Sequence, residues 1–323
     1  MTKVSAGYDD TSTLENEIAR LESQLAEAKQ RLNTKRHSQQ PSSTISRTIT
    51  PPTPLTPKIP DSSHHYLLLL SDSALPLGSF AFSSGLESYL AHARSPTSPP
   101  SLLYKPTFTS FLPLSLSSYA RTTLPFALAA HRDPATVTDL DDALDASIIC
   151  TVGRRASIAQ GRALLSIWEK SLAPSTAVSA DARGALEGFS AALRSSGSTS
   201  TSARKVGHGD IDEDDIALPP LVSAHLAPLF GVVARLLGLT LRQAAYVFLF
   251  SHAKALVSAA VRASMFGPYQ AQKILAGGEL QVLIADLVER EWDVRVEDAG
   301  QSVPVVDLWI GRHEMLYSRI FNS

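Results

Sequence analysis

Serine, histidine and aspartate are the residues of this sequence whose types could do chemistry. A serine hydrolase needs one of each at hydrogen-bonding distance. All three are plentiful, but no motif places them together, and the G-x-S-x-G turn that exposes a nucleophilic serine does not occur. An enzyme that uses Asp72 or the histidines is therefore the weakest functional hypothesis.

Metal ligation is a second possible chemistry. His225, His252 and His313 lie on predicted helices, where a histidine is more often a hydrogen-bonded core or interface residue than a ligand. His208 stands beside the acidic run at 210–215, but its Gly- and Ser-rich surroundings are typical of a solvated loop. The single cysteine, Cys150, excludes an all-cysteine metal site. We predict no metal ligand and no directly bound cofactor.

Nucleotide binding is the third chemistry, and the corner Gly78–Gly85, GSFAFSSG, has the glycine content of a phosphate loop. It lacks the terminal G-K-[ST] and a preceding parallel strand, and the chain has no G-x-G-x-x-G, H-E-x-x-H or C-x-x-C motif. Asp72 and Ser73 just before it are interpreted as turn or capping residues. The sequence thus predicts no site of catalysis.

Composition sets the class of protein. The chain has 323 residues and a net charge of −2, which argues against a nucleic-acid binder, because such proteins carry a basic face. The polar N-terminus is not a secretory signal, and the apolar run Ala244–Phe250 is too short to span a bilayer. One cysteine fits a reducing compartment. We expect a cytoplasmic protein with no membrane and no nucleic-acid partner.

The domain organisation follows from composition shifts. Residues 1–34 are predicted to hold an amphipathic helix at 12–34, with a heptad seam and a Ser12–Glu15 capping box. Residues 35–62, rich in Ser, Thr and Pro, are predicted to be a disordered linker. A folded region is predicted at 63–323, with a low-complexity, solvated insertion at about 172–218.

Apolar positions recur at helical spacing through the folded region, with no βαβ alternation, so the predicted fold class is all-α. A second capping box, Ser84 with Glu87, is predicted to open a helix that runs to about Ala93. Thr240 is predicted to cap a long helix, and Gly238 to break the one before it. The further helices are predicted at 67–71, 108–130, 140–171, 228–236, 241–265, from 268, and 279–290.

The end of the chain carries an aromatic stripe. If residues 308–321 are helical, Trp309, His313, Leu316 and Ile320 fall on one face, with Tyr317 and Phe321 close by. Such a stripe either docks on its own domain or inserts into a partner groove. The sequence leaves both alternatives open.

Five segments, in order along the chain, resemble the urease accessory protein family UreF. They are LLLLSDSALPLGSFAFSSGLESYL at 67–90, RRASIAQGRALL at 154–165, FGVVARLLGL at 230–239, VSAAVRASMFGPYQAQ at 257–272 and VPVVDLWIGRHEMLYSRIFNS at 303–323. The N-terminal helix, the linker and the insertion depart from the compact pattern of the family.

The resemblance implies a compact multi-helix UreF-like bundle, extended here by the N-terminal coiled coil, that is not an enzyme by itself. It would join a UreD/UreH-type protein and the GTPase UreG on apo-urease, and support GTP-dependent nickel insertion. Nickel and GTP would be handled by the complex. A homodimer is also implied.

The resemblance further implies which residues form interfaces. The partner-binding set is His313, Tyr317, Arg319, Phe321, Arg262, Gly267, Pro268 and Gln272. The set that shapes the first corner and its helix start is Asp72, Ser73, Pro76, Gly78, Ser83, Gly85 and Glu87. The alternative function is a generic helical coiled-coil adaptor unrelated to urease.

Overall fold

A computed structural model describes residues 18–31, 62–93, 107–176, 180–203 and 222–322 of the chain. Within these ranges it contains twelve α-helices and no strand, so the all-α prediction is confirmed. The chain divides into two units, Met1–Lys58 and Ile59–Ser323. The predicted linker up to residue 61, the Ser12–Glu15 cap and His208 with its acidic run lie outside the described residues, and the last linker residue, Ser62, begins a helix.

Helix α1 covers residues 18–31 and belongs to the first unit. The helices of the second unit are α2 (Ser62–Ser71), α3 (Leu86–Ala93), α4 (Phe108–Arg132), α5 (Val137–Ser147), α6 (Thr151–Ile167), α7 (Ala180–Ala203), α8 (Leu226–Leu236), α9 (Leu241–Arg262), α10 (Pro268–Ala276), α11 (Gly278–Glu291) and α12 (Pro304–Arg312).

Local sequence explains where several of these helices begin and end. Thr107 caps α4 by accepting a hydrogen bond from Ser110 N, and Thr240 forms a capping box with Gln243 at the start of α9. Gly238, with a φ of 77°, ends α8 as predicted, since a left-handed residue after a helix is readily supplied by glycine. These boundaries therefore follow from short-range chemistry.

The core is built around α4, which packs most extensively against α8 and α9. Ten of the eleven residues of α8 are buried, so that helix lies inside the bundle. Its Gly231 touches α4 so closely that a Cβ there would lie 2.1 Å from the carbonyl oxygen of Ala127. Gly161 brings α6 equally close to the chain entering α8, at the carbonyl oxygen of Ala224. Because glycine has no side chain, Gly161 and Gly231 allow these elements of the core to pack closely.

Three segments differ from their predicted structure. The predicted helix at 140–171 is two helices, because residues 148–150 are extended between α5 and α6. Two β-branched isoleucines there have low helix propensity. The predicted solvated segment at 172–218 contains α7, which buries Leu186 and Phe189. The helical spacing of these two residues was a signal that the surrounding Gly and Ser content obscured.

The C-terminal segment is the third difference. Instead of one helix at 308–321, α12 ends at Arg312, a short 3₁₀ turn follows at His313–Met315, and Leu316 is extended. The backbone N–H groups of Ile320 and Phe321 donate to a side chain elsewhere in the fold. The stripe of Trp309, His313, Leu316 and Ile320 therefore does not exist as one helix face.

Helix α9 is, in the part of the chain that the structure describes, the one helix long and apolar enough to cross a membrane by length and composition. However, 56% of its apolar window is buried inside the protein. It packs against α4, α10, α11 and α2, as the central helix of a helical core does.

We expect Gly231→Ala to lower the free energy of unfolding by about 2 kcal/mol or more, because the added methyl group overlaps the backbone of α4. Gly188→Ala on α7 is the matched control: it meets nothing within 4 Å and should be neutral or stabilising by up to about 1 kcal/mol. Urea unfolding measures both. Equal effects would contradict close packing at Gly231.

Candidate functional site

The first feature of the site is the corner that joins α2 to α3. Asp72 Oδ1 accepts a hydrogen bond from Ala74 N at 2.9 Å, which is the turn role that the sequence predicts for it. Ser73 and Pro76 lie in the same turn. Gly78 then adopts a φ of 73° with open space around it. The corner is therefore a series of tight turns, and not a loop whose hydrogen-bond donors surround a ligand.

The corner ends in a left-handed pair that places α3 beneath α12. Ser84 has a φ of 50° and Gly85 a φ of 85°. A Cβ on Gly85 would lie 3.0 Å from the backbone nitrogen of Ile310 and 3.2 Å from the Cβ of Trp309. The glycine is thus required twice, by its backbone conformation and by the close approach of α12.

The predicted Ser84–Glu87 capping box does not form. Ser83 Oγ, not Ser84, accepts the hydrogen bond from Glu87 N, at 3.4 Å. Ser84 is left-handed, which is not the extended conformation of a helix cap. The carboxylate of Glu87 points instead to the other end of the chain. The prediction of the cap is wrong, because the Glu87 side chain contacts residues more than two hundred positions away in the sequence.

Glu87 is the acceptor at the centre of the site. Its buried carboxylate accepts hydrogen bonds from His313 Nε2 at 2.8 Å, from Ile320 N at 2.6 Å and from Phe321 N at 3.2 Å. His313 is fully buried. Because burying a carboxylate is unfavourable unless donors surround it, the three donors and the carboxylate stabilise one another. We call Ala81, Glu87, Arg262, His313 and the segment 320–322 the tail-docking site.

The remaining contacts of this site hold the last residues against α9 and the corner. The Phe321 ring is 4% exposed, and the guanidinium carbon of Arg262 lies 4.3 Å from its centroid, a cation–π distance. Arg262 Nη2 also donates to the carbonyl oxygen of Phe80. Asn322 N donates to the carbonyl oxygen of Ala81 at 2.8 Å. The tail therefore docks on its own domain.

Docking leaves a row of large side chains on the outside of the tail. Tyr317 is fully exposed, Met315 is 79% exposed and Ile320 is 63% exposed. Arg319 is exposed between them. Nearby, Arg155 of α6 pairs with Glu314 at 2.7 Å. The tail combines a fixed backbone with free aromatic, aliphatic and cationic side chains, which is the composition of protein interfaces.

The predicted interface residues separate into three groups, of which two belong to the tail. Arg262, His313 and Phe321 meet one another through the tail-docking site, but His313 and Phe321 are buried in their own chain and do not offer their side chains to a partner in this conformation. Their role here is to hold the tail. Tyr317 and Arg319 are exposed, as a partner surface requires.

A third part of the predicted set lies at the start of α10. Gly267, Pro268 and Gln272 are all exposed, and Tyr269 between them is 92% exposed. This surface follows Arg262, the last residue of α9, by a few residues in the chain. The turn between them includes Ser264, which is left-handed with a φ of 59°. The start of α10 is thus a second exposed face with an aromatic residue.

A buried polar network that the sequence did not indicate fixes the start of α8. Asp141 accepts hydrogen bonds from the backbone nitrogens of Ser223, Ala224 and His225 at 2.6–3.0 Å. Asp141 is fully buried. It serves as the cap of a helix that lies about eighty residues further along the chain, and no local spacing could reveal such a cap.

The same network brings a serine, a histidine and an aspartate together. His225 Nδ1 lies 3.0 Å from Ser157 Oγ, and His225 Nε2 lies 2.7 Å from Asp145 Oδ1. Burial by itself raises the pKa of Asp145. Hydrogen bonds from Arg154 and His225 outweigh this effect and hold the pKa of Asp145 below its ordinary value. The side chain of His225 is fully buried, and Ser157 Oγ also accepts from Leu226 N at 3.4 Å. The three groups join α5 and α6 to α8.

A pocket of about 150 Å³ lies among α4, α6, α9 and α12. In it, the His252 ring stacks on Tyr119 with centroids 3.9 Å apart, and His252 Nε2 lies 3.3 Å from Ser115 Oγ. Burial lowers the pKa of His252 to about 3 and raises the pKa of Asp307. Both shifts favour the neutral forms, so the pocket is polar without a fixed charge on His252.

Within the described residues, no three His, Cys, Asp or Glu side chains come close enough together to hold a metal ion. Cys150, His252 and Asp307 all line the pocket but do not form such a group.

Comparisons with known proteins match the chain to one family. The family named UreF matches residues 105–278. A urease accessory protein UreF-like protein of Schizosaccharomyces pombe is 36% identical over 259 residues, which cover 80% of this chain and 97% of that protein. Urease accessory protein F of Oryza sativa subsp. indica is 30% identical over 258 residues, covering 78% of this chain and 82% of the relative. Urease accessory protein 6 of Cryptococcus neoformans var. grubii is 28% identical over 316 residues, covering 80% and 96%.

Replacing Glu87 should release the tail. Glu87→Ala leaves His313 and two backbone N–H groups without their acceptor, and we expect a loss of about 2 kcal/mol in the free energy of unfolding. Hydrogen exchange at the amides of Ile320 and Phe321 should rise by at least about tenfold, the factor for 1.4 kcal/mol. Glu187→Ala, at an exposed site of α7, is the control. Unchanged exchange at these two amides would show that Glu87 does not hold the tail.

His252 should make stability depend on pH. Its pKa is about 3 in the folded protein against an ordinary 6.5, so on acidification the unfolded chain binds this proton first. Its contribution is complete above pH 6.5 and is lost as the pH falls toward 3, by up to about 1.4 kcal/mol per pH unit.

The measurement is urea unfolding at pH 7.5, 6, 5 and 4.5, for the natural chain and for His252→Gln. The glutamine retains a partner for Ser115 but does not titrate, so its stability should fall less steeply below pH 6.5. Parallel curves for the two proteins would contradict a neutral, buried His252.

Proposed function

The chain belongs to the UreF family of urease accessory proteins, and from this premise we propose that it is a non-enzymatic scaffold for nickel insertion into urease. In this proposal it joins a UreD/UreH-type protein and the GTPase UreG on apo-urease in the cytoplasm. Nickel is the cargo of the assembly, and GTP is bound by the GTPase. The absence of a phosphate-loop motif from this sequence fits that division of roles.

The observation that carries the proposal is the form of the C-terminal tail. Its backbone is fixed by Glu87, while Tyr317 and Arg319 are exposed beside Met315 and Ile320. A preorganised segment loses less conformational entropy on binding than a free one. Tyrosine and arginine are also the types that contribute most to interface affinity. We assign this tail to the UreD/UreH-type partner.

The start of α10 supports a second interface. Arg262, Gly267, Pro268 and Gln272 lie on an exposed surface that includes Tyr269. Arg262 belongs to both regions, because its guanidinium lies over Phe321 at the end of the tail. We propose that this face forms the homodimer interface or binds another component of the assembly. Because the face is adjacent to the tail, the proteins bound at these two surfaces lie near each other.

The alternative function is a helical adaptor that acts outside urease maturation. It is favoured by the exposed apolar seam of α1, in which Ile18, Leu21 and Leu25 are each more than half exposed. The two functions differ in one phenotype: a cell that lacks a maturation scaffold has no active urease, whereas a cell that lacks an unrelated adaptor keeps urease activity.

Complementation of a urease-negative strain that lacks this protein tests the scaffold function. The natural chain should restore urease activity, and Tyr317→Asp should restore less than about a tenth of it, because loss of an aromatic anchor costs about 2 kcal/mol or more of binding. Tyr317 is fully exposed, so the variant should retain its helical circular dichroism. Co-purification with the UreD/UreH-type protein should fall in parallel.

Glu187→Lys on exposed α7 is the matched surface control and should restore full activity. If the natural chain itself restores no urease activity, the scaffold function is wrong. If Tyr317→Asp restores as much activity as the natural chain, the function stands and the assignment of the tail to the partner is wrong.

A further inference from the structure

The pocket among α4, α6, α9 and α12 contains a carboxyl group whose buried oxygen has no partner. Asp307 lines this pocket, and in the part of the chain that the structure describes its Oδ2 atom is buried and accepts no hydrogen bond. A buried polar oxygen is unfavourable unless a donor compensates it. Because Asp307 belongs to a pocket of about 150 Å³, a bound molecule can provide that donor.

The walls of the pocket bring no positive charge to this carboxyl group. Among the described residues that line the pocket there is no lysine or arginine, and His252 is the one histidine. Burial keeps the His252 ring neutral by lowering its pKa to about 3. Burial also raises the pKa of Asp307, and a cation bound beside its carboxylate would lower that pKa again. The charge of the pocket therefore favours a cationic ligand.

The neighbouring polar groups of the wall are placed as acceptors. The hydroxyl hydrogens of Thr122 and Ser147 bond to backbone carbonyl oxygens one turn earlier in their own helices, at 2.8 and 2.9 Å. A hydroxyl group has a single hydrogen, so its oxygen is left to accept. Gln160 donates from its amide to a carbonyl of α6 at 3.3 Å and keeps its side-chain oxygen. These three line the pocket, so the ligand should carry several N–H donors.

The volume and the apolar part of the wall limit the size of the ligand. Val306 and Ile310 of α12 line the pocket together with Ile148. A cavity of this volume accommodates a molecule of about six non-hydrogen atoms. Ile149 and Gln301 also line the pocket and are exposed, so the pocket opens to solvent between the α5–α6 connection and the start of α12.

We propose that this pocket binds a small primary ammonium ion. Its N–H groups donate to the Asp307 carboxylate and to the hydroxyl and amide oxygens of the wall, and its short aliphatic chain packs against Val306 and Ile310. A metal ion is a poorer match, because no group of three His, Cys, Asp or Glu side chains forms among the described residues. The proposal concerns a ligand of this chain and does not rest on the role in urease maturation.

Helix α12 connects the pocket with the tail-docking site. Asp307 and Ile310 line the pocket, and the same helix ends at Arg312, directly before His313, which bonds to Glu87. A ligand held by Asp307 adds a contact that exists only while α12 is packed on the bundle. Bound ligand should therefore reduce the opening of α12 by mass action.

Calorimetric titration of the full-length chain at pH 7.5 tests the proposal. Three probes of similar size differ in charge: n-butylammonium, butan-1-ol and butyrate. The cation should bind at least about tenfold more tightly than the alcohol or the anion, because hydrogen bonds between charged groups are the stronger ones. Equal affinity for the cation and the alcohol, tighter binding of butyrate, or no heat of binding for n-butylammonium would overturn the proposal.

Two variants locate the ligand. Asp307→Asn keeps the shape of the side chain and removes its charge, so the affinity for n-butylammonium should fall at least about tenfold. Ala156→Leu, on the α6 wall, fills the pocket without changing a charge and should abolish binding. It keeps the test decisive if Asp307→Asn does not fold. Asp286→Asn, at an exposed site of α11, makes the same change of net charge and should bind as the natural chain does.

Unchanged affinity in Asp307→Asn or in Ala156→Leu would overturn the proposal, since the cation would then bind elsewhere on the chain. Displacement of n-butylammonium by an equal concentration of NiCl₂ or MgCl₂ would also overturn it, in favour of a metal-ion site. Failure of urease complementation would leave these titrations unaffected, so the two proposals can fail separately.

Hydrogen exchange gives a second readout that a ligand on the outer surface would not change. Saturating n-butylammonium should slow exchange at the amides of residues 308–312 at least about threefold in the natural chain. It should leave these amides unchanged in Asp307→Asn. Equal exchange with and without bound ligand in the natural chain would show that Asp307 does not hold it.

Discussion

The C-terminal end of this protein depends on the carboxylate of Glu87. A buried carboxylate is stable only when donors replace the water it has lost. Glu87 obtains its donors from His313 and from the backbone of Ile320 and Phe321. Because the N–H groups of Ile320 and Phe321 bond to Glu87, they are not available to the backbone hydrogen bonds of a helix. One acceptor thus fixes the position of the last residues of the tail.

The corner between α2 and α3 positions the Glu87 carboxylate. The left-handed pair Ser84–Gly85 turns the chain directly beneath Trp309 and Ile310, so α3 begins where α12 passes. Arg262 then contacts both the corner, at the Phe80 carbonyl, and the tail, at the Phe321 ring. Segments from the beginning, middle and end of the folded unit therefore meet at one surface. Tyr317 stands on that surface with its side chain fully exposed.

The interior of the bundle contains more polar groups than its apolar helices indicate, and they hydrogen-bond to one another and to the backbone. Asp141 caps α8, and Asp145 holds His225 against Ser157. Close helix contacts at Gly161 and Gly231 leave no space for a side chain, and the polar groups satisfy the backbone where the helices meet. In the pocket, His252 hydrogen-bonds to the side chain of Ser115, and burial favours its neutral form. These groups hold the helices of the bundle together.

The sequence by itself determined the fold class and the features that depend on near neighbours. The helix cap at Thr240, the break at Gly238 and the turn at Asp72 were all predicted, because each is set by residues a few positions apart. The order of the family segments is likewise a property of the sequence alone. Only the tertiary structure decided the partner of Glu87. The spacing of Glu87 from Ser84 predicts a local capping box. In the structure, however, the Glu87 carboxylate accepts hydrogen bonds from residues within 313–321 instead. In the same way it decided that Phe321 is buried and Tyr317 exposed, since the aromatic residues of the tail differ in what the folded chain places beside them.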